Sequence, residues 1–289
     1  MISVKNINGE LHYFLNVPEV GPKPGPEPKP EPGPKPEPEP KPEPIKSIIE
    51  SEYITYVVGF WKVNNNTKRD MSHYYKFMPK TFQKLKNKNI VFFYGDDDIL
   101  KYVNTIRKTS YFIAIKIDVT ELPTYEFSAD YLESCKNQNN SYLESMNDRK
   151  GLKHYAREYK KSGEDAYRKI ISIWTSKILL IKRVIDSNPF NSINFAWADV
   201  SIAMINLPIT KTNYNMNKIN TNKGGCRYMG EIINNGAGFM ISGKNTWLKL
   251  IPLYKTKLEE LRHSNYAHDE ETILYLIYKE NKELFNNIF

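Results

Sequence analysis

From residue 53 onward, short runs of almost unbroken apolar residues alternate with longer stretches in which apolar residues return every three or four positions. The first kind predicts strands covered on both faces, and the second predicts helices with one buried face. Strands are expected over 53–58, 89–94 and 111–117, with helices over 73–86 and 98–108 between them. Asp98 suits the start of the second helix and Lys108 its C-terminal end. The stretch 125–163 is polar and predicts short helices and loops laid over the sheet. Residues 165–186 then place Ile170, Ile173, Trp174, Lys177, Ile178, Ile181, Lys182 and Ile185 at three- and four-residue intervals and stop before Asn188-Pro189. A fourth strand over 193–197, a fifth over 238–242 and helices over 245–262 and 269–279 complete the pattern. Such alternation predicts an α/β fold: a mixed, mainly parallel sheet with helices on both faces and a ligand crevice at the carboxyl ends of its strands.

Two unlike segments come first. In 1–20, Asn8-Gly9 separates two apolar runs, which is a hairpin signal, but so short a hairpin cannot build a core. It is expected to dock elsewhere, to bind a protein partner or to be a frayed leader. From Gly21 to Pro44 every even position is proline, with lysine, glutamate and glycine between. With few amide donors and nothing apolar to pack, residues 21–45 are expected to form a polyproline II linker, on the order of 70 Å if fully extended. The folded domain is expected over 46–289, an ordinary size for one α/β domain.

Charge sharpens this division. The chain carries a net +8, while the leading segment and the linker each hold one surplus negative charge, so the domain is near +10. A basic domain favours anionic partners such as phosphates, nucleic acid or anionic membrane surfaces. Lysines set among asparagine and isoleucine, as over 84–89, equally reflect an AT-rich genome. The two cysteines, Cys135 and Cys226, have no metal-ligand spacing and give no disulfide framework. No secretory leader pattern and no apolar run of membrane-spanning length is evident, so a soluble, cytoplasmic protein is expected.

Several chemistries lack their motifs. The scattered histidines show no His-x-x-x-His spacing, and Gly224-Gly225 and Gly236-Ala237-Gly238 match neither a Walker loop nor a dinucleotide fingerprint. No nucleophile elbow is present. Gly95-Asp96-Asp97-Asp98 follows the second strand, where a turn and an acidic helix start explain it better than a metal site does.

What remains is a lone carboxylate, Asp199, at the end of the apolar strand Ile193-Asn194-Phe195-Ala196-Trp197-Ala198. Strand ends in open α/β sheets are where ligands bind, so Asp199 is a candidate ligand contact; capping the next turn is its structural alternative. Lys177 stands among the apolar positions of the preceding helix, where it can lay its stem over the core. Arg107 and Asp269 stand near helix ends, where the helix dipole and an N-cap account for them.

Arg107, Trp174-Thr175-Ser176-Lys177, Asn188-Pro189-Phe190-Asn191-Ser192, Phe195-Ala196-Trp197-Ala198-Asp199, Ile241-Ser242-Gly243 and His268-Asp269-Glu270-Glu271 follow one another in the order of HtrL/YibB-like proteins. The chain resembles that family from about Tyr53 to its end. The resemblance implies a GT-A-type glycosyltransferase, acting on a nucleotide-sugar donor and a glycan or protein acceptor. It implies that Asp199 binds a divalent cation, manganese or magnesium, which bridges the donor phosphates and neutralises the leaving diphosphate. It further implies donor contacts from Lys177, Arg107, Trp197, Ser201 and Gly243, and catalysis by Asp269. The usual Asp-x-Asp is here Asp199-Val200-Ser201. That departure keeps open an alternative: a weakly active or inactive protein of the same fold that binds glycan or nucleic acid.

Overall fold

The computed structural model describes residues 2–7, 10–15, 54–66, 69–136, 159, 161–211, 213–222, 227–228, 231–232, 235–263 and 269–287. Contacts divide the chain into two units, Met1–Lys46 and Ser47–Phe289. In the first, β1 (Ile2–Ile7) and β2 (Glu10–Leu15) pair antiparallel, with Ile2 opposite Leu15 and Ile7 opposite Glu10. The proline-alternating stretch lies outside the described residues.

The second unit is a mixed α/β structure. In chain order it contains β3 (Ile54–Phe60), α1 (Met71–Lys84), β4 (Asn89–Tyr94), α2 (Asp97–Ile106), β5 (Phe112–Lys116), α3 (Phe127–Lys136), α4 (Glu164–Ser187) and β6 (Asn194–Ala198). There follow β7 (Ile219–Asn222), the short pair β8 (Arg227–Tyr228) and β9 (Glu231–Ile232), β10 (Gly236–Gly243), α5 (Lys244–Leu261), α6 (Glu270–Glu280) and β11 (Phe285–Asn287). Seven strands form the main sheet in the order β11-β7-β10-β6-β3-β4-β5. The pairs β6–β3, β3–β4, β4–β5 and β11–β7 are parallel, while β10 runs antiparallel to both neighbours.

Alternation along the strands sends side chains to two separate cores. Val57, Val91, Phe93, Phe195 and Trp197 pack with α4, α5 and α6 on one face. Tyr56, Val58, Ile90, Phe92, Ala196 and Ala198 pack on the other with Met78 and Phe82 of α1 and Ile99 and Val103 of α2. Each large apolar side chain removed from water in this way contributes roughly 1.5–3 kcal/mol before entropy is counted, so both faces are strongly specified. Buried polar tips find partners: Tyr56 donates to the Ile209 carbonyl, Trp247 to the Phe195 carbonyl and Tyr254 to the Thr175 carbonyl.

Helix starts differ from the expected ones by a residue or two, for local reasons. Asp70 caps α1 through a bond from the His73 amide at 3.0 Å, so the helix starts at Met71. The second helix starts at Asp97 after Asp96, ahead of the expected Asp98. Asp97 then pairs with Lys116 and Asp98 with Lys62, which accounts for that acidic run as a turn and a helix start. Among the described residues no helix is long and apolar enough to cross a membrane.

Candidate functional site

Phe195, Trp197 and Asp199 share one parity along β6, so Asp199 continues the face on which α4 lies. There Lys177, 5 % exposed at its side chain, places Nζ 2.9 Å from Asp199 Oδ1 and 2.7 Å from Glu270 Oε1. The same ammonium donates to the Ala237 carbonyl at 3.3 Å. Trp197 Nε1 donates to Asp199 Oδ1 at 2.7 Å, so that oxygen is held from two sides. Burial pushes the Lys177 ammonium down, but the Asp199 and Glu270 carboxylates outweigh it and hold the group above its ordinary value.

The head of α6 supplies three consecutive acids. Asp269 caps the helix, its Oδ1 accepting from the Thr272 amide at 2.8 Å. Glu270 takes Lys177, and Glu271 Oε1 accepts from the Ala237 amide at 3.1 Å. Burial, followed by the charges of Glu270 and Glu271, pushes the Asp269 carboxyl up to about 8. A carboxyl with that affinity for protons can take or give one near neutral pH.

These groups line a cavity of roughly 550 Å³ at the carboxyl ends of β3 and β6. Trp61, Tyr74, Trp174 and Trp197 form its aromatic walls, and Met204 and Ile205, both exposed, extend it with apolar surface. Trp61 donates to the Ile117 carbonyl at 2.9 Å, which brings its ring across Gly59. A methyl at Gly59 would fall 2.7 Å from that ring, so glycine is what lets the wall form. On the far side of Asp199, Ser201 accepts from Arg69 Nη1 at 3.1 Å.

Five of the residues expected in the site come together here: Lys177, Trp197, Asp199, Ser201 and Asp269. Two do not. Arg107 ends α2, bonded to Asn104 and to the Thr109 carbonyl and lying over the Phe112 ring at the beginning of β5, the opposite end of the strands. Gly243 ends β10 opposite Asn194, the first residue of β6, with its amide on the Met216 carbonyl. Helix α2 returns to the amino edge of the sheet and β10 runs antiparallel, so both termini are carried away from Asp199. Glu270, Arg69, Trp61 and Tyr74 were not expected in the site. Trp61 directly follows β3, a position that the strand-end rule would have flagged, whereas Arg69 lies deeper in a loop and Glu270 opens a helix, where that rule says nothing.

The residues present determine which kind of metal they fit. Among the described residues no three histidine, cysteine or acidic side chains converge to hold an ion. Asp199 Oδ1 is already bonded to Lys177 and Trp197, which leaves Oδ2. A side chain at Gly238 would begin 3.5 Å from Oδ2 and 3.2 Å from Ile202, so glycine keeps the space beside that oxygen open. Magnesium accepts one carboxylate when phosphates and waters supply the rest. One carboxylate oxygen, Asp199 Oδ2, therefore remains for a cation whose other ligands come from elsewhere.

Fold and site define a mixed α/β protein with a strand-end cavity built around a buried lysine and its two carboxylates. Residues 47–289 match the family described as "Bacterial protein of unknown function (HtrL_YibB)", and the chain belongs to that family. No curated protein matches it. Two solved structures of the glycosyltransferase GlyE from Streptococcus pneumoniae TIGR4, one of them the apo form, share 6% and 8% identity with it at a TM-score of 0.38. Each alignment covers 81% of this chain and 44% of that one, so the chain matches under half the length of GlyE.

Proposed function

We propose that the protein is a GT-A-type glycosyltransferase that moves a sugar from a nucleotide-diphosphate donor to a hydroxyl of a glycan or protein acceptor. The observation that carries this reading is the Lys177–Asp199–Glu270 cluster, set at the strand ends in a cavity with aromatic walls. Pockets that combine apolar walls with a few fixed polar groups suit small ligands that need orienting. Aromatic faces, carboxylates and a buried cation together suit a molecule that is part ring, part hydroxyl and part phosphate.

In this reading Trp61, Tyr74 and Trp174 seat the donor, and Lys177 keeps Asp199 ionised and oriented. Asp199 Oδ2 would hold a manganese or magnesium ion, which when bound supplies Lewis-acid neutralisation of the leaving diphosphate. The acceptor oxygen attacks the anomeric carbon and its proton passes to Asp269 in its ionised form. The bond from that carbon to the diphosphate oxygen breaks, and its electron pair leaves on the diphosphate. Orientation of donor and acceptor in this cavity supplies much of the rate.

The test is release of nucleoside diphosphate by the full chain from a panel of UDP-, GDP-, ADP- and dTDP-sugars with manganese. Release from one donor, lost in Asp199→Asn, is the expected result. Glycan binding without release from any donor favours the second reading, a binding protein on the same fold.

A further inference from the structure

Arg69 lies in the segment between β3 and α1, which leaves the carboxyl edge of the sheet where Asp199 also stands. Its guanidinium bonds Ser201 Oγ at 3.1 Å, and both residues line the cavity. Ser201 is 2 % exposed and sits two residues beyond Asp199, so it ties the guanidinium to the strand end that carries the carboxylate. Asn66, Tyr74, Lys177 and Asp199 line the same cavity, so the three charged groups Arg69, Lys177 and Asp199 border one space. A guanidinium has five N–H donors in a planar fork, and the bond to Ser201 occupies one of them.

We propose that Arg69 is a diphosphate-binding residue of this cavity, its guanidinium steadied by Ser201 and turned to the phosphate oxygens of the nucleotide donor. The proposal rests on the transferase reading and adds to it a cation that belongs to the chain. In Asp-x-Asp the second acid adds negative charge, which only a metal ion can make attractive to phosphate. Here that position is a neutral serine, and the group attached to it is positive. Arginine suits this task because its fork matches phosphate geometry and its charge cannot be removed by a chelator.

Titration calorimetry with inorganic pyrophosphate, UDP and GDP in excess EDTA tests the proposal on the full chain. Pyrophosphate should bind the wild type, and Arg69→Ala should weaken it at least tenfold. Arg69→Lys should fall between, since it keeps the charge and loses the fork. Ser201→Asp should weaken binding about as much as Arg69→Ala, because the new carboxylate would pair with the guanidinium. Lys80→Ala, an exposed change on α1, should leave the affinity as it was. Equal affinity in wild type and Arg69→Ala, absence of pyrophosphate binding to the wild type in EDTA, or an equal loss in Lys80→Ala overturns it. Failure of the transferase reading looks different: pyrophosphate held through Arg69, with no nucleotide released from any sugar donor. Undiminished transfer by Arg69→Ala has the opposite meaning, overturning the role of Arg69 and keeping the enzyme.

Discussion

Lys177 Nζ lies 2.7 Å from Glu270 Oε1, so one ammonium joins the middle of α4 to the first turn of α6. The same nitrogen holds Asp199, and removing it leaves two carboxylates facing each other across little water. Breaking a buried ion cluster by deleting one partner costs about 3–5 kcal/mol, so Lys177→Met should lower the melting temperature by on the order of 10 °C. Adding Glu270→Gln should restore part of the loss. Thermal unfolding of the wild type, both single variants and the double variant checks this, and additive losses would show that the two groups are independent.

Asp269 gives the stability a pH dependence of definite sign. Its folded-state affinity for protons is raised, by burial first and then by Glu270 and Glu271, to about 8, against roughly 3.9 in an unfolded chain. Below the unfolded value both states are protonated and the contribution to stability is fully present. As pH rises towards 8 the unfolded chain releases a proton that the native state keeps, so stability falls across that window. Urea midpoints should therefore drop from pH 5 to pH 8, and drop less in Asp269→Asn.

Asp199→Asn keeps an oxygen for the Trp197 indole and removes the charge that faces Lys177, the charge that the proposed divalent cation would also need. Calorimetry of UDP or GDP with and without manganese should show a metal-dependent gain in the wild type and none in the variant. An equal gain in both would remove Asp199 from the metal role.

Gly59→Ala should destabilise the protein by about 1–3 kcal/mol, the usual range for forcing extra volume into a packed wall. The added methyl would meet Trp61 at 2.7 Å and Trp197 at 3.0 Å, and two indoles anchored by hydrogen bonds cannot both move aside. Chemical unfolding measures the loss, and nucleotide affinity should fall with it because the displaced Trp61 enters the cavity.

The strongly apolar elements were legible in the sequence, and the polar ones were not. Strands β3, β4, β5, β6 and β10 fall on the apolar runs. By contrast β7 reads Ile-Asn-Thr-Asn and β11 Phe-Asn-Asn, with no hydrophobic pattern to find. Asn220 is fully buried even so, because its amide donates to the carbonyls of Asn215, Lys218 and Ile241. Hydrogen bonding there replaces the apolar burial that a strand pattern records. Within the site, Lys177 and Asp199 were legible because a lysine on an apolar face and a carboxylate at a strand end are both anomalies. Glu270 was hidden because an acid in the first turn of a helix is ordinary. Arg69 was hidden because nothing in a loop sequence says which strand end its side chain will reach.

Trp61, Trp174 and Trp197 line the cavity, and the fourth tryptophan of the chain, Trp247, has its indole nitrogen on the Phe195 carbonyl. The protein's intrinsic fluorescence is therefore weighted towards its own candidate site. Trp197 is the most sensitive part of it, since its N–H bonds to the carboxylate that a ligand or cation would engage. Quenching or a spectral shift on mixing thus offers a label-free screen for ligands before any acceptor is known.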